Sequence, residues 1–306
     1  MKAVALAGGV GGAKLADGLA RLLPPRDLTV VVNNGDDFEH LGLYVCPDLD
    51  TVCYTLAGLA NAETGWGRAD ETFQALEALG ALGGETWFRL GDRDLATHLE
   101  RTRRLRLGEP LSQITRDFCR AWGLQAAVLP MTDQSVRTLV DTQESGELAF
   151  QEYFVRQKCE PRVRGFRFAG IESALPAPGV LEAIAEADVV VICPSNPWVS
   201  IDPILALPGL RPALAAKRVV AVSPIVGGKA VKGPAAKMFA ELGIGPSAAA
   251  VAQHYGSLLA GFVLDRLDEA LASGIGLPTL ITDTIMKDGE ARLGLARDVL
   301  NWIELL

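Results

Sequence analysis

The sequence predicts an α/β protein with a doubly wound, mainly parallel sheet, a largely helical insertion and a β-hairpin. The first observation behind this fold class is the order strand, glycine-rich turn, helix and strand over residues 2–32, which is a βαβ unit. The second is a pair of apolar runs at residues 187–193 and 218–223. Each run leads into a loop rich in Gly, Pro, Ser or Asn, as expected for strands that are covered on both faces of a parallel sheet.

The first βαβ unit has recognisable boundaries. Residues 2–7 predict the first strand, and the helix after the glycines is expected to run from about Ala13 to Leu23. Two prolines follow at once and end the helix, because proline cannot continue it. The apolar residues 28–32 predict the second strand, which leads into a polar loop.

A long helical segment separates this unit from the later strands. From about residue 51 to 125, Ala, Leu, Glu and Arg recur at a spacing close to that of an α-helix. We therefore predict a single α/β domain over residues 1–306, with a core of approximately 1–50 and 126–306 and a helical substrate-binding insertion of approximately 51–125.

The rest of the chain mixes strands with helices. We expect a short strand at residues 127–131 and a β-hairpin whose arms are residues 136–142 and 148–157. The elements predicted nearer the C-terminus are helices near residues 247–261 and 290–305 and a strand at residues 278–282.

The charge balance limits the class of partner. The 29 Lys and Arg residues are outnumbered by 37 Asp and Glu residues, which gives a net charge of −8. No basic excess is available to displace counterions from a nucleic acid, so we expect no nucleic-acid partner. A phosphorylated small molecule stays possible, because local geometry can bind an anion inside an acidic protein.

The cysteine pattern and hydropathy indicate the compartment. The five cysteines form no C-x-x-C pair, so neither a zinc cluster nor a disulfide framework is expected. The apolar N-terminal stretch is too short for a signal peptide. No uncharged apolar run reaches the roughly 18 residues of a membrane span. We therefore expect a cytoplasmic protein with no membrane partner.

The glycine-rich turn after the first strand is the first candidate site. It departs from the dinucleotide pattern G-x-G-x-x-G because Lys14 replaces the third glycine, and from a Walker A loop because Leu15 follows that lysine. Glycines still allow backbone N–H groups to approach an anion at a helix N-terminus. We predict that Gly9, Gly11, Gly12 and Lys14 bind phosphate; the alternative is a tight turn that needs glycine for packing alone.

Two later loops also follow predicted strands, where open α/β sheets bind their ligands. In one, Ser195 and Asn196 are able to donate to phosphate oxygens or to cap the next helix. The other, residues 223–229, contains two glycines and a lysine, and Lys232 lies just beyond it. Together with the glycine turn, these loops favour a nucleotide diphosphate as ligand.

Two acidic residues precede a helix in the insertion. Asp48 and Asp50 follow Pro47, at a position where aspartate commonly caps a helix. The functional alternative makes one carboxylate a magnesium ligand or a base for a hydroxyl nucleophile. The cap is the favoured reading for Asp48, and both readings stay open for Asp50.

Residues 87–94 combine two aromatic side chains with alternating charges, including Arg89. This composition suits a planar aromatic ligand that carries an anionic group. The alternative is an ion-paired turn that caps a helix beginning near Leu95. His40, His98 and His254 show no metal-type spacing, and no G-x-S-x-G motif indicates acyl transfer, so the histidines are assigned no role.

Taken together, these motifs resemble the 2-phospho-L-lactate transferase family, whose bacterial members include phosphoenolpyruvate transferase. The family acts in the biosynthesis of the deazaflavin coenzyme F420. The resemblance runs from residue 1 to about residue 268. The segments that carry it are residues 8–14, 34–38, 47–52, 87–98, 194–197 and 223–228.

The resemblance implies a Rossmann-like core and a magnesium-dependent transferase. Such an enzyme moves a phospho-lactyl, phosphoenolpyruvyl or phosphoglyceryl group from a guanosine diphosphate-activated donor to the ribityl hydroxyl of the deazaflavin FO. GMP is released, and coenzyme F420-0 or its dehydro form is produced. A homodimer is expected from the same resemblance.

The resemblance also implies roles for individual residues. Asp50 and Arg89 would bind the deazaflavin, with Asp50 also catalytic and a Mg²⁺ ligand. The glycine turn and the loop of Ser195 and Asn196 would bind the guanosine diphosphate. Val10 stands where the family has threonine, so no side-chain phosphate contact is expected there.

Two other functions compete with this interpretation. The first is a non-catalytic, nucleotide-binding regulatory protein of the related gluconeogenesis-factor family, which shares the glycine turn and has no need of residues 87–94. The second is a dinucleotide oxidoreductase, which Lys14 and the missing ribose-binding carboxylate disfavour.

Overall fold

The computed structural model describes all 306 residues and contains fourteen strands and twelve α-helices. The strands are β1 (Ala3–Ala7), β2 (Leu28–Val32), β3 (Phe38–His40), β4 (Leu43–Val45), β5 (Ala127–Pro130), β6 (Arg137–Thr142), β7 (Gly146–Ala149), β8 (Val163–Ala169), β9 (Val189–Ile192), β10 (Arg218–Val222), β11 (Ile225–Val226), β12 (Lys229–Ala230), β13 (Gly261–Asp265) and β14 (Thr279–Thr282). The helices are α1 (Gly9–Leu22), α2 (Pro47–Leu56), α3 (Gln74–Ala81), α4 (Asp92–Arg106), α5 (Leu111–Ala121), α6 (Val180–Glu186), α7 (Asp202–Leu205), α8 (Leu210–Ala215), α9 (Ala235–Glu241), α10 (Ala248–Tyr255), α11 (Ala272–Ile275) and α12 (Gly289–Ile303).

A seven-stranded sheet forms the centre of the molecule. Its strand order is β14-β13-β10-β9-β1-β2-β5, and every neighbouring pair is parallel. The chain leaves β1 toward β2 on one side, whereas β9 pairs with the other side of β1. Open parallel sheets bind ligands at such a switch point, outside the carboxyl ends of the strands. The loops after β1 and β9 are therefore the expected walls of a site.

Both faces of the sheet are buried. In β1, Val4 and Leu6 belong to the apolar cluster on one face, and Ala3, Ala5 and Ala7 to the cluster on the other. The second cluster includes residues of α1, α2 and α12. Burial on both sides explains why the central strands are apolar throughout rather than alternating.

The predicted fold class is confirmed, and several element boundaries differ from prediction. Helix α1 begins at Gly9 instead of near Ala13, so the glycines form its first turn. The second hairpin arm is short, and Glu152–Arg156 is a π-helical turn rather than strand.

Six strands were not predicted: four are short (β3, β4, β11 and β12), and two are longer. One is β8, which pairs with β6. The other is β13, which begins where the helix predicted near residues 247–261 was expected to end. Helix α10 stops at Tyr255 because Gly256, with a φ of +55°, turns the backbone out of the helix.

The segment between α2 and β5 contributes α3, α4 and α5 and no strand of the central sheet. No helix anywhere in the protein combines the length and apolar character needed to cross a bilayer.

Candidate active site

A cavity of about 620 Å³ lies at the carboxyl ends of the central strands. Its walls come from the loops after β1, β9 and β10, from helix α2 and from the segment between α2 and β5. The predicted site residues that line it are Gly9, Gly11, Lys14, Asp50, Arg89, Ser195 and Asn196. Only Gly12 among the predicted residues lies outside the lining.

The glycine turn packs directly against the loop after β9. A Cβ on Gly11 would overlap the carbonyl oxygen of Pro194, and one on Gly12 would lie 2.5 Å from Ser195 Oγ. Ser195 Oγ itself donates to the Gly8 carbonyl at 2.8 Å and accepts from the Gly8 N–H at 3.1 Å. Packing therefore explains Gly11 and Gly12, and the Ser195 hydroxyl already joins the two loops.

The N-terminus of α1 opens toward this cavity without a side-chain cap. Its N-cap residue, Gly8, has no side chain that could bond to the first N–H groups, and its first turn contains no acidic residue; of these N–H groups, that of Gly9 bonds to the Asp48 carboxylate. Such an end carries partial positive charge and unpaired N–H donors, which suits an anion. The cap predicted as one role of Asn196 is confirmed, because its Oδ1 accepts from Trp198 N–H at 3.1 Å; phosphate binding by its amide stays a prediction.

Lys14 adds an ammonium beside the glycine turn. Its Nζ donates to the carbonyl oxygen of Met286 at 2.7 Å. Burial lowers the pKa of Lys14, and the nearby charges of Arg292 and Lys232 lower it further. Three cationic side chains thus lie near one end of the cavity.

Two buried carboxylates face the same turn without a cationic partner. Asn33 Nδ2 donates to Asp36 at 3.2 Å and to Asp48 at 2.9 Å, which places the two carboxylates side by side. Burial raises the pKa of Asp48 to about 6, against hydrogen bonds from Asn33 and the Gly9 backbone. Burial raises the pKa of Asp36 well above its usual range, and repulsion from Asp48 adds to the shift.

The predicted helix cap at Asp48 is wrong. Cys46 occupies the N-cap position of α2, and Asp48 lies inside the first turn with its carboxylate toward the glycine turn. Asp36 was not a candidate in the sequence-based site, because a polar residue in a loop after a strand has no distinctive spacing of its own.

Asp50 forms a buried ion pair. The Arg101 guanidinium donates to both of its carboxylate oxygens, at 3.0 Å for Oδ2. Arg101 Nη1 also lies 3.1 Å from His98 Nδ1. Because a guanidinium only donates, that ring nitrogen accepts, and the imidazole proton is on Nε2. Burial raises the pKa of Asp50, and the charge of Arg101 opposes the shift.

The remaining ring nitrogen of His98 faces a second carboxylate. His98 Nε2 lies 3.4 Å from Asp94 Oδ1, and Tyr54 donates its hydroxyl proton to Asp94 at 2.7 Å. Oxygen and nitrogen atoms of Asp50, Asp94 and His98 lie within 4.8 Å of one another. Sequence reasoning missed His98 and Arg101. Their spacing from Asp94, four and seven residues along α4, was the available signal because it places all three on one helix face.

Aromatic side chains form another wall of the cavity. Trp87 and Phe88 line it, with their ring centroids 5.8 Å apart. Phe150 and Phe154 line it as well, stacked at 5.4 Å. The Arg89 guanidinium lies 4.0 Å above the ring of Phe73. A flat, apolar ligand with a polar edge would match this wall.

Two acidic side chains in and near residues 87–94 accept hydrogen bonds from backbone N–H groups at the starts of helices α3 and α4. The Asp92 carboxylate accepts from Gln74 N–H and Ala75 N–H at the start of α3, at 3.1 and 3.0 Å. The Glu71 carboxylate accepts from Arg93 N–H and Asp94 N–H at the start of α4, both at 2.9 Å. The predicted alternative, in which residues 87–94 cap a helix beginning near Leu95, is therefore wrong: α4 begins at Asp92 and its cap comes from Glu71, whereas Asp92 caps α3.

Comparison with known proteins identifies relatives over the whole chain. The family described as 2-phospho-L-lactate transferase CofD matches residues 3–287. The chain is 48% identical to a phosphoenolpyruvate transferase of Streptomyces griseus over 99% of both proteins. It is also 48% identical to the phosphoenolpyruvate transferase of Thermobifida fusca, over 92% of this chain and 93% of that protein.

Solved structures support the fold. Two crystal structures of BH3568 from Bacillus halodurans, one described as a member of the UPF0052 family, superpose with TM-scores of 0.62 and 0.65. The sequences are 16% identical, and 98% of this chain is covered in each case. On the sequence matches, the chain belongs to the 2-phospho-L-lactate transferase CofD family and is a transferase of that kind, as its motifs predicted.

Proposed function

We propose that the protein transfers a phosphoenolpyruvyl group, or its phospho-lactyl or phosphoglyceryl analogue, from a guanosine diphosphate-activated donor to the deazaflavin FO. The terminal ribityl hydroxyl of FO attacks the outer phosphorus of the donor. A new phosphodiester bond forms, the bond between the two phosphates breaks, and GMP leaves with the bridging oxygen. The hydroxyl proton is released, and F420-0 or its dehydro form is the product.

The observation that carries this proposal is the combination of three environments in one cavity. An uncapped helix N-terminus, buried carboxylates and an aromatic wall face the same space of about 620 Å³. A nucleotide regulator needs the first of these and has no use for an aromatic wall beside Arg89. The names of the relatives favour phosphoenolpyruvate as the source of the transferred group.

The donor would bind at the glycine end. The N–H groups at the start of α1 and the ammonium of Lys14 would contact the diphosphate. Asn196 and Ser195 keep the adjoining loop in place through their own hydrogen bonds. Binding of this kind holds the phosphates in one orientation, which is the main requirement of phosphoryl-type transfer.

The acidic side of the cavity suits the Mg²⁺ that we propose. Oxygen ligands are those that Mg²⁺ prefers, and Asp36 and Asp48 present buried carboxylates with no cation to balance them. Asp50, which the resemblance assigns to the metal, already has the charge of Arg101 beside it. We therefore propose Asp36 and Asp48 as the main holders of the ion. The bound ion would neutralise charge on the diphosphate.

The acceptor would bind along the aromatic wall. The tricyclic ring would pack against Trp87 and Phe88, with Arg89 at its polar edge. Asp50 would then face the ribityl chain and accept a hydrogen bond from the attacking hydroxyl. His98 cannot take that proton, because its Nδ1 is occupied by Arg101 and its Nε2 already carries hydrogen.

The direct test is a product assay. Purified protein is incubated with FO, Mg²⁺ and each of the three candidate donors, and the products are identified by mass. We expect GMP and one F420-0 species, formed fastest from the enolpyruvyl donor. Nucleotide binding without any product would contradict the proposal and support the regulatory alternative.

Asp50→Asn tests the assigned role of the carboxylate. The change keeps the shape and removes the charge, so turnover should fall by about 100-fold or more while the affinity for GDP changes little. Full activity of Asp50→Asn would remove Asp50 from the mechanism.

Arg89→Ala should instead weaken FO binding, which the fluorescence of the deazaflavin reports.

A further inference from the structure

One loop of the insertion, residues 61–67, is closed on itself, and we call it the strap. The Asn61 N–H donates to the Gly67 carbonyl at 3.0 Å. Backbone pairing between Ala60 and Arg68 joins the two ends. These bonds join the two ends of the strap, so its outer part, residues 62–66, is held in place by contacts with other parts of the chain.

The strap contacts the glycine turn at one point and Lys232, in the segment after β12, at another. Gly65 approaches Val10 so closely that a Cβ there would lie 2.8 Å from Val10 Cγ1. The carbonyl oxygen of Thr64 accepts a hydrogen bond from the ammonium of Lys232. The next residue of the strap, Trp66, lines the main cavity. The strap is therefore held against the proposed donor site by one apolar contact and one lysine.

Lys232 has the surroundings of a phosphate ligand. Its ammonium lines the cavity and bonds to a neutral carbonyl rather than to a carboxylate. Burial lowers its pKa, and its charge is near enough to Lys14 to lower the pKa of that residue too. Two mutually repelling ammonium groups beside an uncapped helix N-terminus would both be satisfied by the charge of a diphosphate.

We propose that Lys232 binds the diphosphate of the donor and, in doing so, gives up the Thr64 carbonyl and releases the strap. A charge-assisted hydrogen bond to phosphate is stronger than one to a neutral carbonyl, so the exchange is favoured only when nucleotide is bound. The inference rests on the proposed function, because its ligand is the guanosine diphosphate part of the donor. Once Lys232 no longer bonds to Thr64, the strap is free to move together with Trp66. Its mobility then depends on whether the donor site is occupied.

The first measurement is nucleotide affinity by titration calorimetry with Mg²⁺ present. Lys232→Met should weaken GDP binding by about 10- to 100-fold, the usual effect of losing a hydrogen bond to a charged group. Lys232→Arg, which keeps the charge, should retain most of the affinity. Lys229→Met is the matched control: Lys229 is an exposed lysine of the same segment outside the cavity, and its loss should change nothing.

The second measurement is hydrogen exchange of the strap. In the natural protein, the amides of residues 62–66 should exchange faster when GDP is bound than when it is absent. In Lys232→Met they should exchange fast in both states. Inorganic pyrophosphate should act like GDP, since the phosphates and not the base displace the Thr64 carbonyl.

The outcomes separate the two proposals. Natural protein that binds neither GDP nor pyrophosphate contradicts the proposed donor and this inference with it. Natural protein that binds GDP, with unchanged affinity in a folded Lys232→Met variant, overturns only the role of Lys232. If the amides of the strap exchange equally fast with and without GDP, the release step is overturned.

Discussion

At the scale of single residues, the site depends on Arg101, a side chain that the proposed reaction does not touch. It is almost completely buried, and both oxygens of Asp50 accept hydrogen bonds from it. It also sets the tautomer of His98, whose other ring nitrogen faces Asp94. Arg101 therefore balances the charge of Asp50 and positions two further polar side chains.

Replacing Arg101 by methionine should destabilise the protein by about 3–5 kcal/mol, because Asp50 is left buried without a countercharge. Urea denaturation measures the loss in the free energy of unfolding. The double variant Asp50→Asn with Arg101→Met should regain part of that loss, since no charge then stays buried alone.

Arg104 offers a matched control on the same helix. It pairs with Glu109 and Asp117, both of which reach solvent. Arg104→Met should therefore cost only about 1 kcal/mol. Equal losses for the two single variants would contradict the special position of Arg101.

Asp37 is a second residue whose burial should have a measurable effect, here on the pH dependence of stability. Burial raises its pKa to about 8, although the Cys46 thiol and the charges of Arg101 and Arg137 oppose the shift. The folded-state pKa lies above the unfolded value, so the unfolded chain releases this proton first. Stability should fall as the pH rises from about 4 toward 8 and then level off.

Asp37→Asn should remove this part of the pH dependence. In metal-free buffer, the melting temperature of the natural protein should fall more steeply between about pH 5 and pH 8 than that of the variant. Asp283→Asn, at an exposed carboxylate paired with Arg266, is the control and should follow the natural protein. Parallel curves for Asp37→Asn and the natural protein would refute the assignment.

At the scale of elements, α3 and α4 stabilise each other's first turns. Asp92 of α4 binds the N–H groups at the start of α3, and Glu71 before α3 binds those at the start of α4. Each carboxylate also lies at the positive end of a helix. This exchange holds the segment that carries Arg89 and the aromatic wall.

Glu71→Ala should cost about 1–2 kcal/mol in the free energy of unfolding, the usual loss for a helix cap. Glu71→Gln keeps one carbonyl oxygen as acceptor and should cost less. Thermal unfolding of the two variants gives the comparison. FO affinity should fall along with stability, whereas GDP affinity should not, because the capped turns adjoin the proposed acceptor site. A cost for Glu71→Gln equal to that for Glu71→Ala would contradict the cap.

At the scale of the whole molecule, the site exists because the strand order reverses at β1. The loop after β1 and the loop after β9 lie side by side only because both strands pair with each other in parallel. The aromatic wall comes from the segment between α2 and β5 and from residues near β7. Segments distant in sequence thus meet at one edge of one sheet.

Binding across these segments should stabilise the fold. GDP at about 100 times its dissociation constant should add about 2.7 kcal/mol to the free energy of unfolding. Mg²⁺ should increase the stabilisation by GDP, and chelation by EDTA should reverse the increase. A thermal-shift series with GDP alone, Mg²⁺ alone and both together measures the stabilisation that each ligand contributes.

Asp48→Asn separates the metal from the nucleotide. It should abolish the increment from Mg²⁺ and leave that from GDP alone. Without ligands it should also make the protein more stable, because it ends the repulsion between Asp48 and Asp36. A Mg²⁺ increment that survives in this variant would exclude Asp48 as a ligand.

The sequence by itself determined the fold class, the position of the glycine turn and the strand-end loops that line the cavity, because these follow from local periodicity and from where glycine is tolerated. Only the tertiary structure decided which polar groups are partners. Asp48 looked like a cap, yet it faces Asp36 across Asn33; His98 looked unremarkable, yet Arg101 fixes its proton. Such roles depend on burial and on neighbours distant along the chain, which no local pattern specifies.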